Sequence, residues 1–298
     1  MRNIDLDSLQ IFKAVVDFGS ITNAAAQLNR VQSNITTRVK NLEQRLGTSL
    51  FIRQSGKLTP SSEGRLLYQY AERLLALSAE AEAALKNGTP RGTLRIGTLE
   101  STAAARLPPL LSTYHERFPD VQIELVPGSS DALISRVHRG DIEAAFVSDP
   151  FNRTGLDSQE AFVEELVLIA ARKSTIANAS ELHGHTILAF AAGCSYRRIL
   201  EEWLESCAVT PQRVLELASY HTITACVAAG TGIAIMPRSV LKAVQAEHLV
   251  RILPLPGKVA RTRTRLVWRS GIRSSVLETL LEEIQRQSPA SPTVTSQS

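Results

Sequence analysis

Residues 32–40 combine short hydrogen-bonding side chains with cations. Gln, Asn, Ser and Thr can exchange hydrogen bonds with base edges, and Arg and Lys can pair with phosphates. On a helix that enters a DNA major groove, the polar groups lie near the helix N-terminus and the cations lie where phosphates pass. The polar candidates are Gln32, Ser33, Asn34, Thr36 and Thr37, and the cationic candidates are Arg38 and Lys40. The alternative explanation is an ordinary solvated helix face.

The elements around this segment favour the DNA explanation. Apolar residues recur at helical spacing over residues 6–18, 21–28 and about 31–46. Two short helices, a tight turn and a longer polar third helix form a helix-turn-helix pattern. The following segment, 49–60, predicts a basic hairpin, or wing, which offers Arg53 and Lys57 as further DNA contacts.

The charge distribution points the same way. Residues 1–60 contain eight Lys or Arg and four Asp or Glu, a net charge of +4. The whole chain contains 33 bases and 29 acids, also a net charge of +4, so the remaining 238 residues are neutral overall. A basic head on a neutral body favours nucleic-acid binding by the head.

Beyond the wing, the pattern changes twice. Residues 62–85 predict one long helix whose apolar stripe needs a partner, and a second copy of the chain is the simplest partner. After a linker at 87–92, short apolar strands alternate with amphipathic helices, which predicts an α/β domain with a mainly parallel sheet. Two of its predicted strands are 166–170 and 264–268, and the second returns the chain to the first half of the domain.

Composition excludes several classes of protein. The chain has 298 residues, of which 44% are hydrophobic, and this favours at least two domains with buried cores. Its apolar runs are far shorter than the roughly 20 residues of a membrane span, and the acidic N-terminus is unlike a signal peptide. Three scattered cysteines do not make a disulfide framework. We therefore expect a cytoplasmic protein without a membrane partner.

The run from Ile21 to Arg53 resembles the LysR-type transcriptional regulators. That family carries paired alanines in the second helix and a Leu-Glu…Leu-Gly…Leu-Phe-x-Arg signature after the recognition helix. The residues that carry the resemblance here are Ala24, Ala25, Leu42, Glu43, Leu46, Gly47, Leu50, Phe51 and Arg53. The segment 58–64 is similar to the family's passage from wing to linker helix, and the similarity extends over essentially the whole chain.

One departure concerns the start of the recognition helix. The family usually has Ser-Gln-Pro there, whereas this chain has Val31-Gln32-Ser33. The usual N-cap serine is missing, so Asn29 or Ser33 would have to cap the helix. A position that is commonly basic in the family is Thr37 here, which affects the expected base preference rather than DNA binding itself.

The resemblance implies a mainly α winged helix-turn-helix domain with a long linker helix, followed by a two-lobed α/β effector domain similar to type 2 periplasmic binding proteins. The implied partners are double-stranded DNA at a promoter or operator, a small-molecule effector between the lobes, a second copy through the linker helix, commonly as a homotetramer, and RNA polymerase. The expected domain bounds are 1–60 for DNA binding, 61–86 for the linker helix, 87–92 for a hinge, 93–287 for the effector domain and 288–298 for a disordered tail. Lobe I is expected at about 93–163 and 264–287, and lobe II at about 164–263.

Two strand-to-helix junctions suggest where an effector binds. Ser101 and Thr102 start one helix, and Cys194 and Ser195 start another, where free N–H groups attract an anion. The family uses both regions for effector contact, together with a loop that is Ser148-Asp149 here and a segment around Thr231-Gly232. We therefore expect a small anionic effector, although each hydroxyl could equally serve as a simple helix cap.

Cys194 suggests an alternative function. A helix N-terminus and the following Arg197 and Arg198 would stabilise its thiolate, which is the environment of a reactive thiol. On that hypothesis the chain senses oxidants or electrophiles through Cys194. The other two cysteines, Cys207 and Cys226, are expected in the core.

Other motifs are weak. His183-Gly-His185 lacks further metal ligands, and Gly230-Thr-Gly232 lacks the third glycine of a dinucleotide site. Ser195 and His221 could suggest a hydrolase, but no GxSxG motif frames the serine. The sequence therefore predicts no catalytic residue, no metal and no cofactor, and we expect the chain not to be an enzyme.

Overall fold

The computed structural model describes residues 4–54, 57–85 and 90–287. Its contacts divide the chain into two compact units, Met1–Gly88 and Thr89–Ser298. Residues 87–89 of the predicted hinge, the tip of the wing and the predicted tail at 288–298 lie outside the described residues. In the part of the chain that is described, no helix is both long enough and apolar enough to cross a membrane.

The first unit is a winged helix-turn-helix followed by a long helix. Its elements are α1 (Leu6–Phe18), α2 (Ile21–Gln27), α3 (Gln32–Leu46), β1 (Phe51–Gln54), β2 (Lys57–Pro60) and α4 (Ser62–Leu85). Asp5 begins α1 by accepting the Ser8 N–H at 2.8 Å, and Gly19 ends it in the left-handed region. This order confirms the helix-turn-helix and wing that the sequence predicts.

The start of α3 differs from the prediction. Val31 is the N-cap residue, and no side chain of the described residues makes a cap hydrogen bond there. Asn29 lies in the turn before the helix with a φ of 51°, and Ser33 is already inside the helix, so the prediction that one of them caps α3 is wrong.

A small polar network joins α3, the wing and α4. Glu43 accepts the backbone N–H of Leu50 at 2.7 Å, which fixes the chain as it leaves α3. Ser61 donates from its hydroxyl to the Ser49 carbonyl at 2.8 Å and accepts the Gly64 N–H at 2.9 Å, so it caps α4. A Cβ at Gly64 would collide with the Leu50 carbonyl oxygen, which explains the glycine.

The outer side of α4 is apolar. Leu67 and Ala71 are buried against α1 and α3, whereas four large apolar side chains on α4 are exposed within the described unit. These are Leu66, Tyr70, Leu74 and Leu77. Their spacing of three to four residues places them on one face of the helix.

The second unit contains a curled, mixed sheet rather than the mainly parallel sheet that the sequence predicts. Its strands are β3 (Gly92–Thr98), β4 (Val121–Pro127), β5 (Ala144–Ser148), β6 (Leu156–Ala171), β7 (Thr186–Ala189), β8 (Arg213–Glu216), β9 (Ala234–Pro237), β10 (Val250–Pro254) and β11 (Arg261–Arg269). The order in the large sheet is β10-β6-β11-β5-β3-β4, and β9 also pairs with β6. Only β3 with β4 and β5, and β7 with β8, pair in parallel among these strands. The first unit, by contrast, is mainly helical, with the two short strands of the wing.

The helices of the second unit follow the strands closely. They are α5 (Glu100–Ala105), α6 (Leu107–Arg117), α7 (Ser130–Arg139), α8 (Ser195–Ser206), α9 (Tyr220–Ala228), α10 (Arg238–Ala243) and α11 (Ser275–Gln287). Helices α5 and α6 are separate, because the helix breaks at Arg106 before the pair Pro108-Pro109.

Two lobes result from separate hydrophobic cores. One core gathers residues of β3, β5, α6 and α11, with a satellite cluster under α7, and we call this part lobe I. The other core gathers residues of β7, β9, α8 and α9 with the second half of β6, and we call it lobe II. Strand β6 belongs to both, because residues 156–165 pair with β11 and residues 166–171 pair with β9 and β10. Strand β11 pairs with β5, which agrees with the predicted return of the chain to lobe I.

Candidate functional site

Helix α3 presents an exposed polar face. Its buried residues are Ile35, Val39 and Leu42. At about 100° per residue, the exposed residues Ser33, Thr37 and Lys40 lie on the opposite side of the helix. Asn34 is exposed beside that face, and Thr36 is half-buried. This face can offer hydroxyl, amide and ammonium groups to a ligand.

Two predicted DNA contacts have partners within the protein. The Gln32 amide donates to the Thr22 hydroxyl at 3.0 Å, which orients it across the turn between α2 and α3. Arg38 lies at the edge of the buried stripe, 3.6 Å from the Asp7 carboxylate. Asp7 also accepts two hydrogen bonds from Arg30, at 2.6 and 3.2 Å. Arg38 is therefore less available than Lys40, which lies on the exposed face.

The wing is a four-residue antiparallel pair, in which Phe51 is opposite Pro60 and Gln54 is opposite Lys57. The backbones of Arg53 and Lys57 therefore lie on the two strands near the turn. Their side chains lie outside the described part of the structure.

In the second unit, the first turns of three helices meet between the lobes. The Ser130 hydroxyl of α7 is 3.3 Å from the Ser195 hydroxyl of α8, and the Ser101 hydroxyl of α5 is 3.2 Å from the Tyr196 hydroxyl. Ser130 also accepts the Ser148 backbone N–H at 3.1 Å. In the part of the chain that the structure describes, helices α5, α7 and α8 have no side-chain cap hydrogen bond at their N-termini. We call the hydroxyl groups of these residues, together with the three helix N-termini, the inter-lobe cluster. Hydroxyl groups and helix N-termini of this kind can bind an anion.

The inter-lobe cluster contains three of the residues predicted for effector contact, namely Ser101, Ser148 and Ser195. Thr102, next to Ser101 in the sequence, is also buried. Sequence reasoning missed four further residues whose hydroxyl groups are also part of it, namely Ser130, Tyr196, Tyr220 and Thr262. Ser130 could have been found, because it starts a helix shortly after a strand ends, as Ser101 does.

Two buried tyrosines contribute phenol groups to the inter-lobe cluster. Burial raises the pKa of Tyr196 and that of Tyr220, so both remain protonated phenols. The ring of Tyr220 packs edge-on against Phe190 with centroids 4.7 Å apart. Burial also raises the pKa of Glu100, although the Tyr220 backbone N–H donates to its carboxylate.

Asp149 is close to the inter-lobe cluster but is paired. Its carboxylate is 3.0 Å from Arg265 and 3.6 Å from Arg153, and its carbonyl oxygen accepts from Ser148 and Thr262. These contacts give Asp149 a role in fixing the loop after β5. We expect any effector contact there to come from the loop's backbone.

Thr231 and Gly232 lie near the N-terminal end of strand β7, not near its C-terminal end, which leads to the inter-lobe cluster. Gly232 lies against the carbonyl of Thr186, the first residue of β7, and a Cβ at Gly232 would collide with that oxygen. Cys194, which precedes α8 and its Ser195, comes after the C-terminal end of β7. The structure therefore does not bring Thr231 and Gly232 to the inter-lobe cluster, and close backbone packing explains the glycine.

The environment of Cys194 is opposite to the one that the sequence suggested. Burial raises the pKa of its thiol and outweighs the backbone N–H groups of Arg197 and Tyr196, which lower it. Arg197 does not supply a free cation, because it is 2.8 Å from Glu201 and 2.6 Å from Glu216. The thiolate is disfavoured, which is not the environment of a reactive thiol. Cys207 is exposed rather than in the core, and Cys226 is half-buried.

This environment predicts slow alkylation of Cys194. At pH 7.5 we expect iodoacetamide to modify Cys207 at least about tenfold faster than Cys194, because Cys207 is exposed and a raised pKa leaves less thiolate. The rate at Cys194 should rise with pH beyond the range in which an ordinary thiol has already ionised. Peptide mass spectrometry over a time course measures both rates. Faster modification of Cys194 than of Cys207 in the folded protein would restore the reactive-thiol hypothesis.

The histidines and acids of the described residues form no metal site: no group of three or more His, Cys, Asp or Glu side chains is arranged to hold an ion. His183 instead accepts the Thr210 backbone N–H through Nδ1 at 3.2 Å. The His183-Gly-His185 motif therefore stabilises a turn.

Comparison with known proteins assigns both units. The family model of the LysR substrate binding domain matches residues 87–289, and the model of the bacterial regulatory helix-turn-helix protein, lysR family, matches residues 6–65. The uncharacterized HTH-type transcriptional regulator YusT of Bacillus subtilis is 38% identical over 92% of this chain and 93% of its own. The HTH-type transcriptional regulator CzcR of the same organism is 36% identical over 86% of this chain and 88% of its own.

The fold agrees with solved structures of full length. The crystal structure of full-length CbnR complexed with its target DNA matches with a TM-score of 0.67, at 20% identity, over 96% of this chain and 100% of that one. Two matching family models, relatives above 30% identity over most of the chain and the shared fold lead to one conclusion. The chain belongs to the LysR family of DNA-binding transcriptional regulators.

Proposed function

We propose that this regulator recognises its operator through the exposed face of α3. Ser33 and Thr37 would contact base edges, and Lys40 would contact a phosphate. Gln32, held by Thr22, and Asn34 would contact bases beside that face, with Thr36 and Arg38 at its margins. Arg53 and Lys57 of the wing would contact neighbouring phosphates.

The observation that carries this proposal is the position of the polar residues relative to the buried stripe of α3. A helix whose apolar side is fixed by the core of its own domain can present only its opposite side to the major groove. That side carries Ser33, Thr37 and Lys40. Since Asp7 already engages Arg38, Lys40 is the cation best placed to meet a phosphate.

Replacing Lys40 by alanine should weaken binding to operator and unrelated DNA alike. The loss of one phosphate contact should lower the slope of log K against log salt by about 1 and leave sequence preference unchanged. Fluorescence anisotropy with both DNAs over a salt series measures this. Lys173→Ala removes the same charge from an exposed turn of the second unit, and it should change neither the affinity for DNA nor the salt slope. An unchanged salt slope in the Lys40 variant would contradict the proposed contact.

The effector half of the proposal rests on the inter-lobe cluster. A small anionic effector would bind among the hydroxyl groups and helix N-termini of α5, α7 and α8, and binding would alter the arrangement of the lobes. We propose that the change is passed to DNA by an oligomer, with the exposed apolar face of α4 joining two copies and further contacts giving a homotetramer. Contact with RNA polymerase would follow at the promoter.

A footprint on the DNA upstream of the protein's own gene tests both halves. A protected region of several helical turns that weakens steeply with salt supports a multimeric regulator. Repeating the footprint with the small-molecule fraction of the source cells should change the length or position of protection. Protection that is insensitive to salt, or unaltered by that fraction, contradicts the corresponding half.

We further propose that the chain is a cytoplasmic regulator and not an enzyme. In the described residues the hydrogen-bond partner of the Ser195 hydroxyl is the Ser130 hydroxyl and not a histidine, so the serine has no general base. The expected domain bounds, with the linker helix at 61–86 and lobes divided near residues 163 and 264, are part of the same proposal. They are supported by the change of strand partner in β6 after Glu165.

A further inference from the structure

Glu164 is a buried carboxylate with three donors. Only 3% of the residue is exposed. Arg106 donates to both of its oxygens, from Nε at 2.7 Å and from Nη2 at 2.9 Å, and the Ser239 hydroxyl donates at 2.6 Å. A two-pronged guanidinium contact of this kind fixes direction as well as distance.

These three residues come from three different parts of the second unit. Glu164 lies on β6 immediately before that strand leaves β11 in lobe I and joins β9 in lobe II. Arg106 is the break between α5 and α6, and Ser239 is the second residue of α10 in lobe II. The neighbouring pair, Arg238 with Glu165 at 3.0 Å, joins the same two elements again. The network therefore lies where a strand crosses between the lobes.

Arg106 also connects this crossing to the inter-lobe cluster. Helix α5 has six residues, with Ser101 in its first turn and Arg106 as its C-cap. Ser101 bonds to Tyr196 of lobe II, while Ala103 packs on the core of lobe I and Ala105 on that of lobe II. A rotation or shift of so short a helix moves both ends together. A displacement of Ser101 would therefore also move Arg106 relative to Glu164.

We propose that Arg106, Glu164 and Ser239 form a latch that sets the angle between the lobes and links α5 to the crossing of β6. The use of this latch in effector response rests on the proposed function, whereas its control of the angle does not. Hinge motions of two-lobed domains concentrate in the few residues at the crossing strands. A buried ion pair there has discrete states, made or broken, and can hold one angle until α5 moves.

A second buried ion pair provides a matched control. Glu283 of α11 is 3% exposed and pairs with Arg117 of α6. Both helices belong to lobe I, so this pair does not join the lobes. Glu283→Gln and Glu164→Gln remove the same charge from equally buried positions, and only the second should alter the angle between the lobes.

The test measures the distance between the lobes by pulsed electron–electron double resonance, an electron paramagnetic resonance method. One spin label is placed on Ser135→Cys in α7 and the other on the native Cys207, both exposed, with Cys194→Ser and Cys226→Ala changes to prevent further labelling. Labelled chains are diluted into excess unlabelled chains, so that distances within one chain dominate. The measurement needs neither DNA nor effector, and its outcome is independent of whether the proposed function is correct.

We expect one narrow distance distribution for the parent protein and for Glu283→Gln. Glu164→Gln should shift or broaden the distribution by several ångströms. Ser239→Ala, which removes one hydrogen bond and leaves the ion pair, should give a smaller change in the same direction and serves if the Glu164→Gln protein does not fold. A distribution for the Glu164 and Ser239 variants that matches the Glu283 control would overturn the latch.

Discussion

The Thr37→Glu protein is expected to bind operator DNA at least about 100-fold more weakly than the parent. Thr37 lies at the centre of the exposed face of α3, opposite the buried Ile35 and Val39. A carboxylate there would enter the major groove, where phosphates surround it and no cation of α3 could neutralise it fully. Like charges brought together at an interface cost several kcal/mol, and about 1.4 kcal/mol corresponds to a tenfold loss of affinity. Anisotropy titration with a labelled operator at fixed salt gives the ratio.

The matched control for this prediction is Gln10→Glu on α1. It makes the same change in net charge at an exposed position of the same unit, on a different helix. It should lower affinity by no more than a few-fold, through the long-range field alone. Equal losses in the two variants would mean that net charge, and not the face of α3, determines binding. Circular dichroism of both proteins, compared with that of the parent, verifies that neither change unfolds the helices of the chain.

The face of α3 could be predicted from the sequence because the information is local. Apolar spacing over residues 31–46 fixes which side of the helix is buried, and everything opposite is then exposed. The partners of Arg38 and Gln32 could not be predicted in this way. Asp7 and Thr22 lie on other helices, and their contacts depend on how three helices pack.

The first half of β6 was missed for a related reason. Residues 156–165 include six polar side chains, so they lack the apolar run that marks a buried strand. They form a strand because β11 supplies hydrogen bonds from a distant part of the chain, with Leu156 opposite Arg269. The sheet is mixed because β11 lies between β5 and β6 and is antiparallel to both. The alternation of strands and helices in the sequence, taken alone, predicts a parallel sheet instead.

The effector residues were predicted in part. A strand that runs into a helix identifies Ser101 and Ser195 from the sequence, because helix N-termini at strand ends commonly bind ligands. Which junctions face each other depends on the path of the chain between lobes, so Ser130 was missed and Thr231 was included. Cys194 shows the same limit: the cations that follow it are local, but the burial that raises its pKa is not.

Replacing Arg106 by alanine is expected to destabilise the effector domain by about 3 kcal/mol. Among the described residues, the change leaves the buried Glu164 carboxylate with Ser239 as its remaining side-chain donor, and an uncompensated buried charge is costly. Part of the guanidinium is exposed, so water can enter and limit the loss. Both tryptophans, Trp203 and Trp268, lie in the second unit. Urea unfolding followed by their fluorescence therefore reports this domain without interference from the first unit.

A double variant separates the ion pair from simple loss of packing. If the cost of Arg106→Ala comes from the stranded carboxylate, then removing that carboxylate as well, in Arg106→Ala with Glu164→Leu, should recover most of the lost stability. Replacement of a buried ion pair by apolar residues is often neutral or stabilising, whereas breaking it is not. The sum of the losses in unfolding free energy of the two single variants should then exceed the loss in the double variant by at least about 1 kcal/mol. That difference is the coupling expected of residues in contact. Additive effects would show that Arg106 contributes through its packing over Phe162, 5.7 Å from the ring centroid, and not through Glu164. A domain that keeps its stability in the double variant but changes its lobe distance would show that the ion pair is retained for geometry and not for stability.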